Sequence, residues 1–183
     1  MRGANTTTNY GFIAIALHWL TALIVISLFT LGLWMVELTY YDDWYRQAPA
    51  LHKSIGISLF ILVVLRLLWR QFNPRPLPIG TTLEQRLAEG VHRLLYLLLF
   101  ATMFAGYLIS TADGRAIEVF GLFSVPATIT GIDKQEDVAG WIHFWLAAGL
   151  IVISTGHALA AIKHHFINRD ATLRRMLRLT TND

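Results

Sequence analysis

A membrane-embedded all-α fold, four antiparallel transmembrane helices in an up-down bundle, is what three features of this 183-residue sequence predict. The first is composition: 55% of residues are hydrophobic and only 15% charged, against about 25% charged in soluble domains. The second is segmentation into four apolar stretches, each meeting the roughly 17–25 residues that a bilayer demands. The third is the placement of histidine inside those stretches, where an ionisable group is costly and marks function. One integral membrane domain is expected to span residues 1–183.

The first stretch, residues 12–36, carries no formal charge. It is too long for the apolar region of a signal peptide and ends without a small-residue cleavage pattern, so it is expected to remain in the protein. The second, residues 51–69, contains Arg66. Pro74, Pro76 and Pro78 follow it and fit poorly inside a helix, so they mark a loop. The third stretch runs over residues 94–112 with His92 at its start, and the fourth over residues 138–163. Glycines and Pro126 interrupt the chain between them.

Lys and Arg set the orientation. With four crossings, eleven of the 15 fall on the side that holds both termini and the Pro-rich loop: Arg2, Arg66, Arg70, Arg75, Arg86, Arg93, Lys163, Arg169, Arg174, Arg175 and Arg178. Arg46, Lys53, Arg115 and Lys134 fall on the other. Positive charge stays inside, so both termini are expected in the cytoplasm, with residues 37–50 and 113–137 facing outward. There is no cysteine, which excludes disulfides, cysteine-held iron–sulfur clusters and thioether-attached haem. No Gly-rich phosphate loop or repeat is present, and no nucleic-acid partner is expected.

His143 and His157 lie fourteen residues apart in the fourth stretch. That is close to four helical turns, so both imidazoles project from one stripe, roughly 21 Å apart along the axis. Depth then sorts the rest: His52 joins His143 near the outer surface, and His18 joins His157 in the cytoplasmic half. Two opposed imidazoles per layer suit a six-coordinate haem, which transfers electrons without an open ligand position. A zinc site would want three or four ligands at one depth. Gly56, Ala147 and Ser154 beside these histidines are small enough to admit a flat ring, although small residues also serve plain helix packing.

Other polar groups stay open between two roles. His92 sits at cytoplasmic depth, either as a substitute for His18 or as a propionate or pocket contact. Arg66 repeats the fourteen-residue step from His52 and either meets a haem propionate or snorkels to headgroups. His164 continues the His157 stripe, as part of a quinone headgroup site or, with Lys163 and His165, as a basic interfacial anchor. Lys53 and Arg115, on the outward side, either neutralise an outer haem propionate or attract an anionic substrate, on a face that also carries eight carboxylates. Tyr40, Tyr41, Trp44 and Tyr45 line a cleft there or form an aromatic interfacial belt.

The chain resembles the bacterial di-haem cytochrome b561 family in Leu17-His18-Trp19, in His52-Lys53-Ser54-Ile55-Gly56, and in Val64-Leu65-Arg66-Leu67. It continues to do so at His92 and at Trp141, His143, His157, His164 and His165. The ending Arg169-Asp170-Ala171-Thr172-Leu173-Arg174-Arg175-Met176 looks like that of the small stand-alone members, superoxide oxidase among them. The resemblance covers nearly the whole chain. It implies two b haems, the outer held by His52 and His143 and the inner by His18 and His157, in a multi-pass protein of the bacterial inner membrane. It further implies an oxidoreductase that takes electrons from superoxide at the periplasmic face and reduces ubiquinone near the cytoplasmic face. The alternative is an electron-transfer subunit linking a periplasmic dehydrogenase, hydrogenase or soluble cytochrome to the quinone pool. Membrane lipid, quinone, and superoxide or a periplasmic redox protein are the expected partners.

Overall fold

In the computed structural model, which describes residues 3–177, four long helices dominate. They are α1 (Phe12–Met35), α2 (Gln47–Phe72), α3 (Thr82–Thr111) and α4 (Gln135–Lys163). All four are long and apolar enough to cross a membrane. A two-stranded hairpin, β1 (Ile117–Val119) and β2 (Phe123–Val125), lies between α3 and α4. Beyond α4 the chain makes a π-helical turn, His164–Asn168, and a short α5 (Thr172–Leu177). Arg2 and Arg178, counted above for orientation, lie outside the described residues.

The helices associate as two hairpin pairs, α1 with α2 and α3 with α4. Where the pairs meet, Leu28, Leu59, Val63, Leu99 and Leu150 form the buried core, with Val25 packed against it. Large apolar side chains such as Leu23, Ile26, Leu97 and Val152 point outward, the reverse of a soluble bundle and the arrangement a lipid solvent favours.

α3 begins well before its apolar stretch, and the cause is local. Thr81 accepts from the Glu84 backbone N–H at 3.3 Å, and the Glu84 carboxylate accepts from the Thr81 N–H at 2.9 Å, a capping box. The polar turns that follow, with Glu84, Gln85, Arg86 and Glu89, are helical but invisible to an apolar count. His92 therefore lies inside the helix, not at its start.

The hairpin was not legible in hydropathy. Phe120 and Gly121 both have positive φ, 50° and 70°, as a type I′ turn requires. Ile117 and Val119 are buried at 3% and 1% exposure, so the hairpin is folded onto the bundle. Ser54 of α2 pins it: its hydroxyl donates to the Glu118 carbonyl at 3.3 Å and accepts from the Phe120 N–H at 3.2 Å. At the opposite end, the N-terminal segment, the Pro-rich loop and α5 are tied together. Asn5 donates to the Pro74 carbonyl (3.0 Å), Trp19 Nε1 to the Met176 carbonyl (2.9 Å), and Arg175 to the Leu77 carbonyl (2.8 Å).

Candidate functional site

The candidate residues obey one spacing. On α4 it is His143 and His157; on α2, His52 and Arg66; on α1, His18 and Gly32; on α3, His92 and Gly106. In every helix the step is fourteen residues, about 21 Å of axis. Because neighbouring helices run in opposite directions, these eight positions fall into two layers. Gly32, His52, Gly106 and His143 lie at the hairpin end. His18, Arg66, His92 and His157 lie at the end carrying the described termini. Halfway, seven residues from each layer, stand Val25, Leu59, Leu99 and Leu150, all in the apolar core or packed on it.

In the hairpin-end layer the His52 and His143 rings stand 6.2 Å apart, centre to centre, at 71°. His143 Nδ1 lies 2.9 Å from the Thr102 carbonyl. A carbonyl only accepts, so Nδ1 carries the ring proton and Nε2 keeps the free lone pair, the tautomer of a metal ligand held by a backbone acceptor. His52 Nδ1 is buried without a hydrogen-bond partner among the described residues. A Cβ on Gly106 would sit 3.1 Å from His143 Cε1 and 3.2 Å from Nδ1, and one on Gly32 would sit 3.3 Å from His52 Cε1. Each imidazole is thus backed by a bare turn of a neighbouring helix. On Gly56 a Cβ would meet no protein atom within 4 Å, so that turn of α2 has room beside it.

In the second layer His18 and His157 are 6.4 Å apart at 68°, and His92 and His157 are 5.1 Å apart. Arg66 donates to His18 Nδ1 at 2.9 Å. Its guanidinium lies 5.5 Å from the centre of the Tyr96 ring, with that of Arg70 5.8 Å from the same ring. Two cations on one aromatic ring repel each other, which favours an anion at this site. Arg66 is turned inward rather than snorkelling outward.

These separations test whether a bis-histidine haem fits. Metal–imidazole bonds are about 2 Å long, with each ring centre about 1.1 Å behind its nitrogen, which puts two opposed rings about 6 Å apart. Both the His52–His143 and His18–His157 pairs meet that requirement, and His92–His157 is too short for it. Among the described residues no group of three or more His, Cys, Asp or Glu is placed to hold a metal ion by protein ligands alone.

Lys53 and Arg115 differ in availability. Lys53 is exposed, with no ion pair among the described residues. Arg115 is engaged by the Asp113 carboxylate, which it holds below the usual range while its own pKa is raised by that same hydrogen bond. Tyr40, Tyr41 and Tyr45 pack edge to face, and Trp34 meets Trp44. The hollow beside Tyr40 and Tyr45 is lined by Asp42, Asp43 and Arg46, so it is not a cationic cleft.

At the far end of the α4 stripe His164 enters the π-turn and pairs with Asp170 at 2.5 Å. His165 instead lies against Phe166.

Gly32, Gly106, Thr102 and Arg70 were missed in the sequence. The signal for the two glycines was present: each costs a helix about 1 kcal/mol relative to alanine, and each lies fourteen residues from a histidine already singled out. Gly106→Ala is expected to push His143 off the Thr102 carbonyl at a cost of about 1–3 kcal/mol. The measurement is haem content after purification, which should fall while Gly140→Ala, whose Cβ meets nothing within 4 Å, leaves it unchanged.

Comparison with known proteins gives a consistent set. The family model described as prokaryotic cytochrome b561 matches residues 9–179. Cytochrome b561 homolog 2 of Escherichia coli (strain K12) is 52% identical over 185 residues, covering 100% of this chain and 98% of that one. The probable superoxide oxidase CybB of Yersinia pestis is 30% identical over 176 residues, covering 92% and 96%. Cytochrome b562 of Cereibacter sphaeroides is 30% identical over 175 residues, covering 93% and 96%.

Proposed function

Because the chain belongs to the prokaryotic cytochrome b561 family, membrane oxidoreductases that transfer electrons and bind haem b, we propose that it passes electrons from superoxide at the periplasmic face to ubiquinone near the cytoplasmic face. The single observation behind this reading is the pair of opposed histidines at each end of one bundle, aligned by a fourteen-residue step. His52 and His143 would hold one haem b, and His18 and His157 the other. A b haem held by two imidazoles supplies a one-electron centre with no open position. The Lys and Arg excess puts the termini in the cytoplasm and the hairpin in the periplasm.

The protein's own groups have definite tasks in this reading. The Thr102 carbonyl holds His143 in its ligand tautomer. On ligation through Nε2, His18 must carry its proton on Nδ1 and cannot accept from Arg66. Arg66 would then be free to pair with a haem propionate, with Arg70 as its neighbour on the Tyr96 ring. His92, too close to His157 to oppose it on a metal, lines the same pocket. The apolar layer of Val25, Leu59, Leu99 and Leu150 excludes water between the two layers. His164, seven residues beyond His157, is the quinone contact.

Superoxide needs a local positive focus on a face rich in carboxylates, and Lys53, adjoining His52, supplies it. In a stopped-flow superoxide pulse, the purified protein is expected to show haem reduction above a dismutase- and catalase-treated blank; no reduction above that blank contradicts the superoxide reading. Lys53→Ala/Arg115→Ala should slow this step about 2–10-fold and flatten its salt dependence. Most of the loss should appear in Lys53→Ala alone, since Asp113 already neutralises Arg115.

The neutralisation of Arg115, with the exposed Phe120 and Leu122 at the hairpin tip, favours a second reading, in which a periplasmic redox protein docks there and donates the electrons. Stoichiometric co-purification of such a partner distinguishes it.

A further inference from the structure

The π-helical turn at the end of α4 builds an arrangement that electron transfer alone does not need. A π-turn at a helix C-terminus widens the last turn and redirects the side chains that follow it. Here it is closed by Arg169 in the left-handed region (φ 57°), and the Asp170 N–H returns to the His164 carbonyl at 3.2 Å. That reversal brings the Asp170 carboxylate under the His164 ring, Oδ2 to Nδ1 at 2.5 Å. The other carboxylate oxygen, Oδ1, accepts from the Thr172 N–H at 2.8 Å and starts α5. Both side chains are largely covered, 15% exposed for His164 and 17% for Asp170.

Glu84 completes the cluster from α3. Its Oε2 belongs to the capping box, leaving Oε1 for Lys163 at 2.9 Å, with Asn168 at 3.5 Å and His164 Nε2 at 4.0 Å. His164 is therefore faced by Asp170 on Nδ1, by Glu84 on the Nε2 side, by Lys163 from its own helix and by the Asn168 amide, 3.2 Å from Nδ1. Asp170 lies beyond the membrane-spanning segment. Burial raises its pKa, but hydrogen bonds from Thr172 and His164 outweigh this, so it stays a carboxylate below the ordinary range. A fixed carboxylate on Nδ1 sets the tautomer, supports the imidazolium, and leaves Nε2–H as the transferable proton.

We propose that His164, positioned by Asp170 and re-protonated through Glu84, delivers cytoplasmic protons to the quinone as it is reduced. This rests on the quinone contact assigned above. Each quinone takes two electrons from the bundle and two protons from the cytoplasmic side. His164 Nε2–H breaks as a quinone O–H forms, the neutral ring keeps its Nδ1 proton on Asp170, and a proton from water reloads Nε2 by way of Glu84. Electrons then enter from one face and protons from the other. Asp170 is a positioning residue in this scheme, and His164 the group that touches the substrate.

The test uses haem-loaded protein reduced with dithionite and mixed with ubiquinone-1 or with ferricyanide, which takes electrons without protons. Asp170→Asn and His164→Gln should each slow reoxidation by ubiquinone-1 about tenfold or more. Neither should change reoxidation by ferricyanide. Asp170→Glu should recover part of the rate, and the Asp170→Asn/His164→Gln protein should be no slower than His164→Gln alone. A wild-type rate with ubiquinone-1 in Asp170→Asn overturns the relay while leaving the quinone contact standing. If ferricyanide but not ubiquinone-1 reoxidises the wild-type protein, the quinone assignment falls and takes the relay with it.

Discussion

Replacing His143 by alanine is expected to leave a protein that binds one haem b per chain instead of two. Among the described residues, His52 is the histidine that faces it, and no other stands beside it to take its place. Its ring is 6.2 Å from His52, the right interval for two metal bonds, and it is the one fixed by the Thr102 carbonyl. Outer-shell changes alone cost metal sites about 10–100-fold in affinity, so loss of a ligand costs more. His52→Ala should give the same result, and the double variant should be no worse than either single one, because both act on one centre. The remaining haem should keep the spectrum and potential of the terminal-end site. Haem extraction against protein concentration, with a redox titration, measures this. An unchanged ratio in both single variants would remove the hairpin-end site from the account.

His157→Ala has the second large effect, and a different one. On the proposed assignment it should remove the haem at the end of the described termini and leave the hairpin-end haem reducible. Ubiquinone reduction should then fall by at least about 100-fold, as expected when a metal centre on the path loses a ligand. The partner of His157 is the sharper question, since both His18 and His92 lie close to it. The 6.4 Å interval selects His18, so His18→Ala should lose this haem and His92→Ala should keep it. The opposite pattern exchanges their roles.

Much of this was legible in the chain because two periodicities coincide. Hydropathy marks the apolar parts of all four helices, and the fourteen-residue step on α4 gives the two depths at which the other histidines belong. The bundle needs only short connections to bring those depths together. What was not legible depends on atoms that hydropathy does not weigh. The start of α3 is a hydrogen-bonded cap between Thr81 and Glu84, and its next turns are polar. The β-hairpin is three residues per strand and is held by a hydroxyl of α2. Gly32 and Gly106 matter through what they lack, a Cβ that would strike an imidazole on another helix. The Asp170–His164 contact needs a change from α- to π-helix and a left-handed residue at Arg169, which no periodicity announces.

The fourteen-residue step and the two histidine pairs call for two stacked centres in one small bundle. Haem b per polypeptide in the purified wild-type protein, from an oxidised-minus-reduced spectrum calibrated by haem extraction, tests this most directly. The account predicts two haems per chain with distinct midpoints. A ratio of one, or a spectrum without b-type bands, would contradict it.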